Sequence, residues 1–183
     1  ANEILPVLER QMAPREIDDS RRLAREYKRL LDAVAQPRAR GSNGDGLRDE
    51  LLDAAAAGNT AKIAELLSRG ADLEGNDTSG RTAVINASWR GRTEVVDLLV
   101  ELGADFNVTD YDGRTAVSWA ASNGHNDIVQ KLVEAGARTN VVDGDGLTPL
   151  MRAAWNGHDT IVRLLIESGA RASMKDENGK SAL

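Results

Sequence analysis

Three series of glycines recur in this chain at a fixed interval of 33 residues: Gly80, Gly113, Gly146 and Gly179; Gly58, Gly91, Gly124 and Gly157; Gly70, Gly103, Gly136 and Gly169. Aligned on them, the intervening segments share one pattern: D-x-x-G-x-T, a short apolar stretch, G-(H), a second apolar stretch, then G-A. A repeat of this length is one supersecondary unit, too small to bury a core alone. Each unit exposes apolar flanks at both ends, so neighbours must cover them and the chain must stack.

The unit that starts at Asp110 shows how the residues dictate its local structure. Asp110-Tyr111-Asp112-Gly113 is a turn tetrapeptide, with Gly where a positive φ costs least. Thr115 opens a helix, its hydroxyl placed to accept an orphan backbone N–H, and Ala116 to Ser122 continue it for two short turns. Asn123-Gly124 stops that helix with a left-handed cap. Asn126 or Asp127 starts a second, whose buried face is Ile128, Val129, Leu132 and Val133 at helical spacing, and Ala135-Gly136-Ala137 ends it. Small residues on the first helix, Ala120 and Ala121, allow close packing, while the second helix supplies bulk.

Strings such as DGRTAVSWAASNGHNDIVQKLVEAGA (112–137) and DGLTPLMRAAWNGHDTIVRLLIESGA (145–170) resemble the ankyrin repeat, over about residues 47–183. The resemblance implies an all-α solenoid of antiparallel helix pairs, with turns or β-hairpin tips projecting at right angles. It divides the chain into an N-terminal capping unit (47–76), three full units (77–109, 110–142 and 143–175) and the beginning of another (176–183). Thr148-Pro149-Leu150-Met151 keeps most of the family's T-P-L-H; the other two units read Thr82-Ala83-Val84-Ile85 and Thr115-Ala116-Val117-Ser118. The His that hydrogen-bonds between adjacent units in the family is missing from all three.

The same resemblance implies a concave groove lined by turn tips and first helices, and a function in non-catalytic protein–protein recognition. Its groove-facing positions are Thr78, Ser79, Arg81, Trp89 and Arg90 in the first full unit. Tyr111, Asp112, Arg114, Ser122 and Asn123 follow in the second, with Thr109 between them. The third supplies Gly144, Asp145, Leu147, Trp155 and Asn156, flanked by Val142 and Lys175. Trp, Tyr and Arg dominate binding hot spots, and an exposed Trp on the thin face of a solenoid has few structural duties. Trp89 and Trp155 are therefore expected in the groove. Trp119 stands three residues earlier in its unit and is expected to pack between helices. Arg81 and Arg114 fit a solvated tip as well as a partner contact.

Charge narrows the partner class. Residues 1–41 carry nine Lys/Arg against seven Asp/Glu, and the rest 14 against 22, giving +2 and −8 of the total −6. An acidic array lacks the clustered cations that a phosphate backbone requires, so nucleic acid is not expected. With no cysteine there is no disulfide or thiolate metal site, which fits the cytosol, where the chain is expected; a periplasm or a cysteine-free engineered scaffold remains an alternative. No apolar run approaches the roughly 20 residues of a membrane span, and no cofactor is implied. The two histidines, His125 and His158, share one slot of the repeat and lack a nucleophile or orienting partner. Asn43-Gly44-Asp45-Gly46 and Asp143-Gly144-Asp145-Gly146 fall short of an EF-hand's ligand set and read as turns.

Residues 1–40 depart from the repeat and are expected to form a helical arm. Ile4, Leu5, Val7, Leu8 and Met12 suggest a short helix. From about Ile17 to Gln36 a cleaner amphipathic pattern places Leu23, Tyr27, Leu30, Leu31 and Val34 on one face. Residues 41–46 then read as a flexible linker. The apolar stripe requires a cover: the first repeat, a second copy of the chain in a homodimer, a partner met as a second recognition element, or the array's own groove reached as a tethered ligand. Besides a free-standing recognition module, the chain fits the targeting or regulatory part of a larger enzyme or effector, or an engineered binding scaffold.

Overall fold

A computed structural model describes residues 44–176 and 178–182. The helical arm expected for residues 1–40, with its expected apolar face of Leu23, Tyr27, Leu30, Leu31 and Val34, lies outside the described residues. Among the described residues eight helices follow one another as pairs: α1 (Gly44–Ala57) with α2 (Thr60–Ser68), α3 (Ala83–Trp89) with α4 (Thr93–Glu101), α5 (Ala116–Ser122) with α6 (Asn126–Glu134), and α7 (Pro149–Trp155) with α8 (Asp159–Glu167). The described residues contain no strand, only isolated antiparallel bridges at Asn76–Thr82 and Lys175–Ser181 at the base of two turns. Because α1 already begins at Gly44, residues 44–46 belong to the first helix rather than to a linker.

The first helices α1, α3, α5 and α7 pack side by side, each against the next, and each second helix lies against its own first helix. One continuous core results. Ala87, Ala116, Ala120, Ala121 and Ala153 keep the first helices close, and Ile63, Leu66, Leu67, Val95, Leu99, Ile128, Leu132, Ile161 and Leu165 of the second helices fill the space behind them. As the spacing predicts, Ile128, Val129 and Leu132 are fully buried, with Val133 half-buried beside them.

Neighbouring units are joined by hydrogen bonds that also recur every 33 residues. The Arg92 Nε–H donates to the Ala56 carbonyl (2.9 Å), and the Nε2–H groups of His125 and His158 donate to the carbonyls of Trp89 and Ser122 (both 3.2 Å). A carbonyl oxygen can only accept, so each imidazole must carry its proton on Nε2. Gly91 makes room for the ring: a Cβ there would come within 2.7 Å of His125. The G-H histidines thus supply an inter-unit bond although the T-P-L-H histidine is absent. A second series joins the loops: the backbone N–H groups of Asp105, Arg138 and Arg171 donate to side-chain oxygens of Glu74, Asn107 and Asn140 at 3.0, 2.8 and 2.8 Å.

The helix-opening threonines differ in whether their hydroxyls are satisfied. Thr115 Oγ1 accepts the Ser118 N–H (3.3 Å) and lies 3.0 Å from the Ser118 hydroxyl; Thr148 Oγ1 accepts the Met151 N–H (3.3 Å). Thr82, followed by Ile85, makes no such cap, and its buried hydroxyl has no partner. Removing a capping hydroxyl costs about 1 kcal/mol, whereas removing an unsatisfied buried one relieves a desolvation penalty. Thr115→Val is therefore expected to lower unfolding free energy in urea by about 1 kcal/mol, and Thr82→Val to leave it unchanged or raise it. Equal losses in the two variants would contradict this difference between the caps.

Candidate functional site

The site is built on the turns that precede the first helices. In each turn the aspartate Oδ1 accepts two backbone N–H groups, two and four residues on: Ser79 and Arg81 for Asp77 (2.8 and 3.0 Å), Asp112 and Arg114 for Asp110 (3.1 and 2.8 Å), Asp145 and Leu147 for Asp143 (both 3.0 Å). The carboxylate is locked in one orientation, so its Oδ2 faces the first helix and its donors. Each unit answers that oxygen differently. Arg81 Nε–H donates to Asp77 (3.0 Å), Trp119 Nε1–H to Asp110 (2.8 Å), and Arg152 Nε–H to Asp143 (2.8 Å).

These donors begin a chain of aromatic rings and guanidinium groups that crosses unit boundaries. The Trp89 and Trp119 rings meet at a centroid distance of 5.5 Å, tilted by 46°. The guanidinium carbons of Arg81 and Arg90 sit 4.7 and 4.1 Å from the Trp89 ring centre, and that of Arg114 sits 4.7 Å from that of Trp119. Cation–π contacts of this kind contribute about 0.5–1 kcal/mol when exposed and more when desolvated. Arg114 then reaches into the third unit, where its Nη2 is 3.0 Å from Asp145 Oδ2, and Arg152 binds both Asp143 and Asp145.

Hydrogen bonds from Arg152 and then Arg114 hold the Asp145 carboxyl below the usual aspartate range. At Asp77 burial pushes the other way, but the Arg81 and Ser79 N–H groups and the Arg81 guanidinium win, and the carboxyl again sits low. Both are depressed in the folded state. Their contribution to stability is therefore complete above the ordinary aspartate value and is lost as pH falls through the lowered one.

The expected groove residues separate into three groups. Tyr111 and Trp155 are open to solvent, 75% and 76% exposed, and Thr78, Ser79, Arg90, Thr109, Asp112, Asn123, Val142, Gly144, Asp145, Asn156 and Lys175 are also on the surface. Trp89, Arg81 and Arg114 are half-buried within the chain of rings and guanidinium groups, and Ser122 is half-buried beside it in sequence. Leu147 is only 6% exposed and leaves the candidate set. It occupies the position of Arg81 and Arg114, but as an apolar side chain it folds out of water where the arginines reach across to carboxylates. Asn156 also has a structural duty, its amide donating to the Ser122 carbonyl (2.8 Å) and facing its hydroxyl (3.1 Å).

Sequence reasoning missed Arg152, and assigned Trp119 to packing without its polar role. A signal for both was present. Asn86, Trp119 and Arg152 stand nine residues after their turn aspartates, a column of polar or polar-tipped side chains on otherwise apolar first helices.

The description "Ankyrin repeats (3 copies)" matches the sequence over residues 28–110, 51–143 and 107–176. The chain belongs to the ankyrin-repeat family. The first match begins upstream of residue 47, within the segment read as an arm. No curated protein matches the sequence. Ankyrin repeats are generally protein-interaction modules and typically non-catalytic. Among the described residues no helix is long and apolar enough to cross a membrane, and no group of three or more His, Asp or Glu side chains is placed to hold a metal ion.

Trp119→Phe tests the network of this ankyrin array without emptying it, because the ring survives and only the N–H is lost. Asp110, 5% exposed, would then keep an unanswered Oδ2. The expected loss in urea unfolding is about 1–3 kcal/mol, the cost of stranding a buried acceptor. A midpoint identical to that of the wild type would show that the indole N–H does not serve the carboxylate.

Proposed function

We propose that this ankyrin array is a non-catalytic recognition module that binds another protein through the face formed by its turn tips and first helices. The observation that carries the reading is the contrast between residues of that face: Tyr111 and Trp155 are each about three-quarters exposed, whereas Trp89, Trp119, Arg81 and Arg114 form an inner layer whose members already hold one another. Side chains fixed before binding lose little entropy on it, and exposed Trp and Tyr bring large apolar area with few rotors. Arg, Trp and Tyr are also the types that dominate measured hot spots.

The opposite face supports the choice by comparison. Between α6 and α8 runs an open cleft of about 440 Å³, lined by Gln130, Glu134, Arg163 and Glu167 around the edges of Val133 and Leu164. Its rim is the solvated polar side of two amphipathic helices, and among the described residues no Trp or Tyr lines it.

Quantitative capture from a native extract, followed by titration of the purified partner, tests the reading. Tyr111→Ala with Trp155→Ala is expected to weaken the partner by about 30-fold or more, since truncating a hot-spot aromatic costs ~2 kcal/mol or more. Both side chains are exposed, so the thermal unfolding curve should barely move. Undiminished binding by a folded double variant would place the interface elsewhere.

A further inference from the structure

The chemistry of the partner follows from what the inner layer has already used and what it leaves open, on the reading that this face is the binding surface. A tryptophan ring face ordinarily invites a cation; that of Trp155 is open, whereas the rings of the inner layer already hold theirs. Here the Trp89 ring is taken up by the Arg81 and Arg90 guanidinium groups and by Trp119, and the Trp119 ring by Arg114 and Trp89. At these two rings a lysine or arginine from a partner would have to displace a guanidinium tethered to the same chain.

Beside the open rings of Tyr111 and Trp155, this face leaves open the edge of one guanidinium. Of the four arginines on this face, Arg81 is paired with Asp77, Arg114 with Asp145, and Arg152 with Asp143 and Asp145. Arg90 has no carboxylate partner among the described residues and is exposed. Its backbone is fixed at the C-cap of α3, where its N–H donates to the Asn86 carbonyl. The guanidinium carbon lies over the Trp89 ring, 4.1 Å from its centre, and no described residue accepts a hydrogen bond from the donors in the guanidinium plane. The N–H donors lie in that plane, and their fork matches the two oxygens of a carboxylate. We infer that the bound segment is an acidic peptide that places an Asp or Glu carboxylate on Arg90.

The array's overall negative charge pulls the other way, and distance decides between them. Field effects of scattered exposed charges are screened beyond ~8–10 Å at physiological salt, whereas a stacked, hydrogen-bonded guanidinium acts at contact. Long-range attraction of basic proteins can raise encounter rates; it supplies no partner for Arg90.

A random-peptide phage library selected on the immobilised full chain, followed by fluorescence anisotropy with the enriched peptides, tests the inference. Binding is compared for the wild type, Arg90→Gln, Arg90→Lys and Trp155→Ala, once each variant has shown the wild-type melting curve. Enriched peptides are expected to contain Asp or Glu, to lose about tenfold in affinity for Arg90→Gln, and to recover only part of it with Arg90→Lys. Their affinity should fall as salt is raised from about 50 to about 500 mM. Peptides that require Trp155 yet lack acidic residues, are rich in Lys and Arg, or bind Arg90→Gln like the wild type would overturn the carboxylate assignment and leave the face intact. Peptides indifferent to Trp155→Ala, or no enriched peptide at all, would overturn both.

Discussion

The face formed by the turn tips and first helices hangs on one bifurcated hydrogen bond, repeated in each turn: an aspartate Oδ1 that takes two backbone amides at 2.8–3.1 Å. The next turn, at Asp176, repeats it with Asn178 and Lys180 at 2.9 and 2.8 Å. Hydrogen bonds to a charged acceptor contribute about 1.5–3 kcal/mol each, roughly twice the neutral kind, so the carboxylate cannot rotate freely. Its second oxygen then becomes a fixed acceptor at the root of the face. Whatever the first helix offers nine residues on, or the turn offers four residues on, is drawn to it.

That arrangement separates what must repeat from what is free to vary. The turn amides, the glycine caps and the inter-unit bonds of Arg92, His125 and His158 keep the period. The donor to Oδ2 changes from guanidinium to indole to guanidinium, and with it the local surface. The first full unit ends in a stacked Trp89 with Arg90 above it, and the last in an unpacked Trp155 beside an Arg–Asp clamp. One backbone frame therefore carries a graded surface, paired and stiff at its base and open at its tips.

Much of this was legible in the sequence because the glycine period fixes the units, and the alternation of small and bulky apolar residues fixes which helix packs where. The Thr115 cap, the helix from Asn126 and the buried Ile128, Val129 and Leu132 all follow from local rules and are found. The site was harder to read, for a physical reason. The slot of Leu147 holds Arg81, which pairs with Asp77 of its own turn, and Arg114, which pairs with Asp145 across the unit boundary, so its exposure is not set by position in the repeat alone. Likewise Trp89 was expected as an open aromatic, and only the approach of Trp119 from the next unit, with two arginines over the ring, gives it its half-buried setting. The start of α1 at Gly44 escaped notice because a Gly-Asp-Gly run reads locally as a turn.

The central claim is that the face built on these turns, with a fixed inner layer and open aromatic tips, is where a partner binds. The three indole N–H signals of nitrogen-15-labelled protein report on it directly. In the free protein the Trp119 signal should be protected from solvent exchange by Asp110, and that of Trp155 should exchange freely. On titration with the bound partner, Trp155 should shift and gain protection, with Trp89 shifting beside it and Trp119 staying protected throughout. All three indole signals unmoved, with backbone shifts confined to α6 and α8, would contradict the account.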